Sequence, residues 1–321
     1  MKTKLNLAFS ILFVMVFALT ACAKTAAQPE KVKVVASTTM VGDVVRQVGG
    51  DFIELTVLFP VGTDPHTFEP RPQDAAAIAD AQIVFLNGLE LEHALEPVVE
   101  SNATGQVVEV SEGIEALQFS SELHQEDEGE EVHHEEEGEE HHHDHSGADP
   151  HTWMDPNLVI IWVTNISDAL SNLDPQHAAS YQANAEAYTE QLTDLDAWIR
   201  EEVAKIPPED RKLVTDHENM GYFIQRYGFT LSGLIVDSLS TNASPSAKEL
   251  AALTDNIKSQ NVKAIFVGSA VNPSIAEQIA NDTGVKLITV KTESLGEEGS
   301  ETATYILYMK TLVNAIVNGL Q

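Results

Sequence analysis

From Lys31 onward, short β-branched apolar runs alternate with segments of helical period, a rhythm that predicts parallel strands joined by helical crossovers. Strands are expected at Val32 to Ser37, Phe52 to Phe59, Gln82 to Leu86 and Val107 to Val110, with helices at Met40 to Val48, stopped by Gly49-Gly50, and at Gln73 to Ala81. Asp155-Pro156 and Asp174-Pro175 each set an N-cap acceptor before a first-turn proline, and the periodicity after them predicts helices of about 15 and about 30 residues. The second, roughly Pro175 to Ala204, is far longer than an ordinary globular helix and ends at Pro207-Pro208. The alternation then resumes, with strands at Lys212 to Thr215, Thr230 to Ile235, Ala264 to Val267 and Lys286 to Val290. Cap-plus-proline pairs stand at Ser244-Pro245 and Asn272-Pro273, a helix is expected from Asn219 to Tyr227, and Glu301 to Val317 closes the chain. The fold class is α/β: two (β/α) lobes with mostly parallel sheets, 31–172 and 207–321, joined by one long backbone helix within 173–206. A ligand crevice is expected between the lobes, at the carboxyl ends of the strands.

Two stretches break the rhythm. Lys2 and Lys4 precede an apolar run, Leu5 to Leu19, that is too short and too early to prefer spanning a membrane. It closes on Leu19-Thr20-Ala21-Cys22, which resembles the lipobox of bacterial lipoproteins. On that resemblance 1–21 is an export signal, Cys22 the lipid anchor to the membrane and 22–30 a tether. An ordinary signal peptide followed by a chance cysteine would export the chain equally. Glu122 to Asp149 holds thirteen acidic residues, seven histidines and no Lys or Arg, with Val132 its one large apolar residue besides Leu123. It cannot bury enough surface to offset the entropy of ordering, so a disordered surface loop is expected.

Composition narrows the chemistry. With 18 basic and 50 acidic residues the net charge is −32, which excludes sequence-independent nucleic-acid binding. One Cys forms no internal disulfide, thiolate zinc finger or iron–sulfur site, so any metal chemistry rests on His and carboxylates.

Outside the acidic loop five histidines remain, and three share a setting. His66 lies in Gly62-Thr63-Asp64-Pro65-His66-Thr67-Phe68, His151 in Asp149-Pro150-His151-Thr152-Trp153, and His217 in Thr215-Asp216-His217-Glu218-Asn219. All three fall in connections on the ligand-binding face of an α/β fold. Neutral imidazole ligates divalent transition metals, and a place near a helix N-terminus is expected to disfavour the protonated form. His93 and His177 read as lying inside helical stretches and receive no role, and Asp155 reads as an N-cap rather than a ligand.

GTDPHTFEPRPQDAAAIADAQIVFLNGLELE, DPHTWMDP, DHENMGYFIQRYG and SPSAKEL, with the lipobox and the acidic His-rich loop, resemble the zinc- and manganese-binding lipoproteins of bacterial ABC importers, the solute-binding proteins of cluster A-I. The resemblance runs over essentially the whole mature chain in the family's order. It implies two lobes on a long helix, one metal buried between them, and delivery of that metal to an ABC permease. It also implies the ligands: His66, His151 and His217 match the first three motif positions, and Glu293 stands where the family carries a late carboxylate. Glu297 and Glu298 are close by, and water is the other occupant of that position in the family.

Three imidazoles and a carboxylate suit tetrahedral Zn²⁺, whereas Mn²⁺ prefers more oxygen, so zinc is the expected cargo and manganese the alternative. In the loop, His124, His133, His134, His141, His142, His143 and His145 are candidates for accessory low-affinity metal binding, the bland alternative being a solvated acidic linker. The expected protein is thus an exported, monomeric, lipid-anchored binding component facing a periplasm or the cell surface, and not an enzyme. An exported zinc hydrolase with Glu218 as base is the competing class, although no HExxH occurs.

Overall fold

The computed structural model describes residues 31–118, 147–238, 241, 245–269 and 273–321. Residues 1–30, Cys22 among them, and all seven loop histidines lie outside these residues. Two parallel sheets are present, as the alternation predicts. The first contains β1 (Val32–Ala36), β2 (Ile53–Val57), β3 (Ile83–Leu86) and β4 (Gln106–Glu109) in the order β2-β1-β3-β4. The second contains β5 (Lys212–Thr215), β6 (Thr230–Leu234), β7 (Ala264–Gly268) and β8 (Lys286–Val290) in the order β6-β5-β7-β8. In each sheet the winding direction reverses beside the first strand, so a crevice opens at the carboxyl ends of β1 and β3 and of β5 and β7.

The crossovers of the first lobe are α1 (Thr39–Gly49), α2 (Pro72–Asp80) and α3 (Glu96–Asn102); α4 (Pro156–Leu173) and α5 (Ala178–Val203) follow, and the second lobe carries α6 (Gly221–Tyr227), α7 (Ala247–Ser259), α8 (Ser274–Thr283) and α9 (Tyr305–Leu320). Helix α5 is the long connector, 26 residues rather than about 30. Its apolar positions Tyr181, Tyr188, Leu192, Leu195, Ile199 and Val203 recur every three, four or seven residues, form one stripe and are all buried. That stripe packs on α1 of the first lobe, on α4 and on α9 of the second, so one hydrophobic core runs from Val32 to Leu320 through both lobes. Two smaller cores fill the outer faces of the sheets, one around Ile78 and Leu95 and one around Ile257 and Ile265.

Several boundaries differ from the sequence expectation for identifiable reasons. Asp174-Pro175 does not open α5. The Asp174 N–H donates to Leu170 O and closes α4, while its carboxylate accepts from His177 Nδ1 at 2.6 Å and Tyr181 OH at 2.9 Å, so the helix starts three residues later. Ser246 caps α7 through a reciprocal capping box with Glu249, while Ser244 lies outside the described residues. Thr304 caps α9, which delays that helix from Glu301 to Tyr305. His177 occupies the N-cap position of α5, and His93 sits in the turn before α3, a helix absent from the sequence reading; neither lies inside a helix. No helix among the described residues is long and apolar enough to cross a membrane.

Because Leu192 is fully buried where both lobes meet α5, Leu192→Ala is expected to lower the unfolding free energy by about 3 kcal/mol, whereas Asp194→Ala on the exposed side stays within about 0.5 kcal/mol. Urea unfolding of the two variants checks this.

Candidate metal site

The sequence Asp-Pro-His-Thr occurs twice, at 64–67 and 149–152, and in each copy the Asp carboxylate accepts the N–H of the His two residues on. In the first, after β2, Asp64 Oδ1 accepts the His66 N–H at 2.9 Å and Pro65 enters a single 3-10 turn. In the second, Asp149 Oδ1 accepts the His151 N–H at 2.9 Å. Both are Asx turns, in which a short carboxylate substitutes for a backbone acceptor. The same Asp149 oxygen also lies 2.8 Å from His151 Nδ1. His217 is reached from β5: Asp216 Oδ1 accepts its N–H at 3.0 Å and stands 3.2 Å from its Nδ1, while Thr215 Oγ1 donates to its carbonyl at 2.8 Å.

An acceptor on Nδ1 places the ring proton there and leaves the Nε2 lone pair free, which is the tautomer a metal requires. His151 therefore turns an unprotonated Nε2 into the crevice, and His217 does so once it gives up its Nε2 proton. His66 Nε2 lies 3.2 Å from His151 Nε2, and the three rings stand 5.2 to 5.6 Å apart by centroid. Glu293, in the connection after β8, completes the group from the second lobe, with Oε2 3.8 Å from His151 Nε2 and Oε1 3.5 Å from His217 Nε2. One ligand atom from each of the four lies within 4.8 Å of every other. His151, His217 and Glu293 are buried and His66 is partly exposed, so the crevice has an open side at His66.

The connection bearing Glu293 is held by both lobes. Thr292 O accepts from Trp153 Nε1 at 3.0 Å and from Tyr308 OH at 2.9 Å, and Ser294 Oγ accepts the Gly62 N–H at 2.8 Å. Tyr305 crosses the same seam, its N–H donating to Asp43 and its hydroxyl to Trp153 O. Gly221 is required where α6 begins, because a Cβ there would stand 2.6 Å from Asp149 Oδ2.

The electrostatics favour a cation. His217 Nε2 and Glu293 Oε2 are buried with no hydrogen-bond partner, a costly arrangement unless something else occupies them. Burial and the neighbouring imidazoles His151 and His217 push His66 down to about 3; burial and His217 likewise take His151 well below the usual histidine value. Burial pushes Glu293 up to about 8. His217 rises to about 8: burial opposes its charge, but the bond to Asp216 and the charges of Glu293, Asp216 and Asp64 outweigh it. A helix N-terminus is expected to disfavour the protonated form at all three; burial and neighbouring imidazoles do so at His66 and His151, whereas at His217 the bond to Asp216 and the nearby carboxylates favour the proton.

Asp155 caps α4 through Asn157 N–H and pairs with Arg226 at 2.6 Å, outside the cluster. Glu218 also supplies no atom to it. Four residues were not singled out from sequence as supports: Asp64, Asp149, Asp216 and Asn219. The readable signal was an Asp one or two positions before each histidine. The acidic loop was drawn through Asp149, yet that residue is 2% exposed and belongs to the site; Asp149 N–H donates to Leu117 O at 2.7 Å, and Gln118 pairs with Ala148. The described residues on either side of 119–146, Gln118 and Ala148, are thus paired next to Asp149.

Comparisons with known proteins show the family and agree with the fold. Residues 34–319 match the family described as "Zinc-uptake complex component A periplasmic". The chain is 35% identical over 297 residues to the manganese-binding lipoprotein MntA of Halalkalibacterium halodurans, covering 92% of this chain and 91% of that one. It is 30% identical over 321 residues to the manganese ABC transporter substrate-binding lipoprotein PsaA of Streptococcus anginosus, covering 97% of each. Among solved structures, the periplasmic zinc-binding protein TroA of Treponema pallidum superposes with a TM-score of 0.77 at 26% identity, over 91% of this chain and 99% of TroA. The protein belongs to the zinc-uptake component A family, the metal-binding substrate-binding proteins of ABC importers.

Proposed function

We propose that the protein is the lipid-anchored, extracytoplasmic zinc-binding component of an ABC importer, with His66, His151, His217 and Glu293 as the ligands of one ion that docking on the permease releases. The observation that carries this reading is the convergence of three imidazole nitrogens and one carboxylate oxygen, two of the four donor atoms being buried and otherwise unpartnered. Nitrogen-rich, four-donor sets suit tetrahedral Zn²⁺. Binding and release require no group that abstracts a proton from a substrate, and Glu218 stands outside the donor set, which weighs against a hydrolase. Manganese is the second reading, favoured by the names of MntA and PsaA. The anchor is assigned to Cys22 by its lipobox setting, and the orientation is toward a periplasm or the outer cell surface. We assign the loop histidines an accessory role, supported by seven histidines among the 28 residues of 122–149 and by the pairing of the flanking Gln118 with Ala148, three residues before His151.

Metal titration and elemental analysis of a chain lacking residues 122–146, which retains Asp149, test this reading. One tight zinc equivalent is expected, held more tightly than manganese, lost in His66→Ala and weakened about 10- to 100-fold in Glu293→Ala. Equal zinc and manganese affinity, or indifference to His66→Ala, contradicts it. The intact chain is expected to bind several further equivalents weakly.

Protons compete with the ion. His217 and Glu293 both sit near 8, so below that pH at least one proton occupies the pair and binding must displace it. Affinity is expected to rise about tenfold per pH unit from 6 to 8 for each proton displaced, then to flatten. Calorimetric titration in buffers of different ionisation enthalpy counts the protons; none released at pH 7 contradicts the assignment.

A further inference from the structure

We infer that Asn219 is a positioning residue that sets how Glu293 meets the ion, and thereby which metal the cleft prefers. The inference rests on Glu293 being a ligand. Asn219 is fully buried one turn beyond His217, its N–H donating to His217 O at 2.9 Å. Its Nδ2 lies 3.3 Å from Asp216 Oδ1, 3.3 Å from Glu293 Oε1 and 3.4 Å from His217 Nδ1. His217 Nδ1 donates to Asp216 and cannot also accept, so the two amide protons are left for the two carboxylates. A flipped amide would set its oxygen against both carboxylates, which fixes the orientation. The amide oxygen itself is buried without a hydrogen-bond partner. What the site uses is therefore the NH₂ group, which bridges the carboxylate supporting His217 to the carboxylate of Glu293.

Both Glu293 oxygens face the imidazoles, Oε1 3.5 Å from His217 Nε2 and Oε2 3.8 Å from His151 Nε2, but Oε1 also accepts from Asn219 while Oε2 has no hydrogen-bond partner. The bond from Asn219 draws on Oε1 and leaves Oε2 the stronger donor, so the carboxylate is biased toward offering the ion one oxygen, which makes four donors with the three imidazoles and suits tetrahedral Zn²⁺. Freed from Asn219, the carboxylate can turn to present both oxygens, a five-donor set closer to what Mn²⁺ prefers. Asn219 thus acts on selectivity through the geometry of its neighbour, without touching the ion.

The full mature chain loaded with one equivalent of Co²⁺, which fills the tight site first, tests this by visible absorption, alongside zinc–manganese competition. Wild type is expected to give the intense bands of four-coordinate Co²⁺. Asn219→Ala and Asn219→Leu, the second keeping the side-chain volume, are expected to give weaker five-coordinate bands and to lose roughly tenfold in zinc preference over manganese. Four-coordinate bands with unchanged preference in both variants overturn the role of Asn219 while leaving the ligand assignment standing. A wild-type cobalt spectrum that His66→Ala does not alter overturns the ligand assignment and this inference with it.

Discussion

The hydrogen bonds from His151 to Asp149 and from His217 to Asp216 are what the site depends on. Each carboxylate takes both the backbone N–H and the ring Nδ1 of its histidine, so a single side chain fixes backbone turn, ring orientation and tautomer together. Without that restraint, three imidazoles within 5.6 Å by centroid would repel one another when charged and point Nε2 at random when neutral. The supports are themselves tied into the frame: Asp216 Oδ2 accepts the Gly268 N–H at the end of β7, and Asp149 is wedged against Gly221 at the start of α6. Asp216 is consequently ionised: burial opposes its charge, but the bonds and charge of His217 and the Gly268 N–H lower it below the usual carboxylate value.

Ligands drawn from two lobes hold one geometry only if the lobes are registered. The single core around α5 supplies that register at long range, and Trp153, Tyr305 and Tyr308 supply it locally by hydrogen-bonding across the seam to backbone next to the ligands. Asp64 adds a contact at the open side of the crevice: its second oxygen accepts from Thr241 of the opposite lobe while the first holds His66. The two Asp-Pro-His-Thr segments thus share the bond from Asp to the His N–H and differ in use, Asp149 bracing an imidazole and Asp64 bridging lobes.

Much of this was legible in the sequence, for physical reasons. Parallel β/α alternation is written in short β-branched apolar runs separated by segments of period 3.6, and β5 and β8 fall where those patterns place them. The three histidines were legible because their connections follow strand ends or precede helix caps, the positions an α/β fold turns toward a ligand. Less visible was what tertiary contacts decide. Asp174 reads as an N-cap but is claimed by His177 and Tyr181, and Asp149 reads as one more acid of a polar tract but is buried. Glu293 had no local mark separating it from Glu297 and Glu298; its burial comes from Trp153 and Tyr308, more than 130 residues earlier and 15 residues later in the chain.

The most direct test of the central claim is diffraction from zinc-loaded crystals at the zinc absorption edge, which locates the ion independently of any affinity. The account predicts one strong anomalous peak enclosed by His66, His151 and His217 Nε2 and one Glu293 oxygen. A peak elsewhere, or one in the crevice from which Glu293 has turned away, would contradict it.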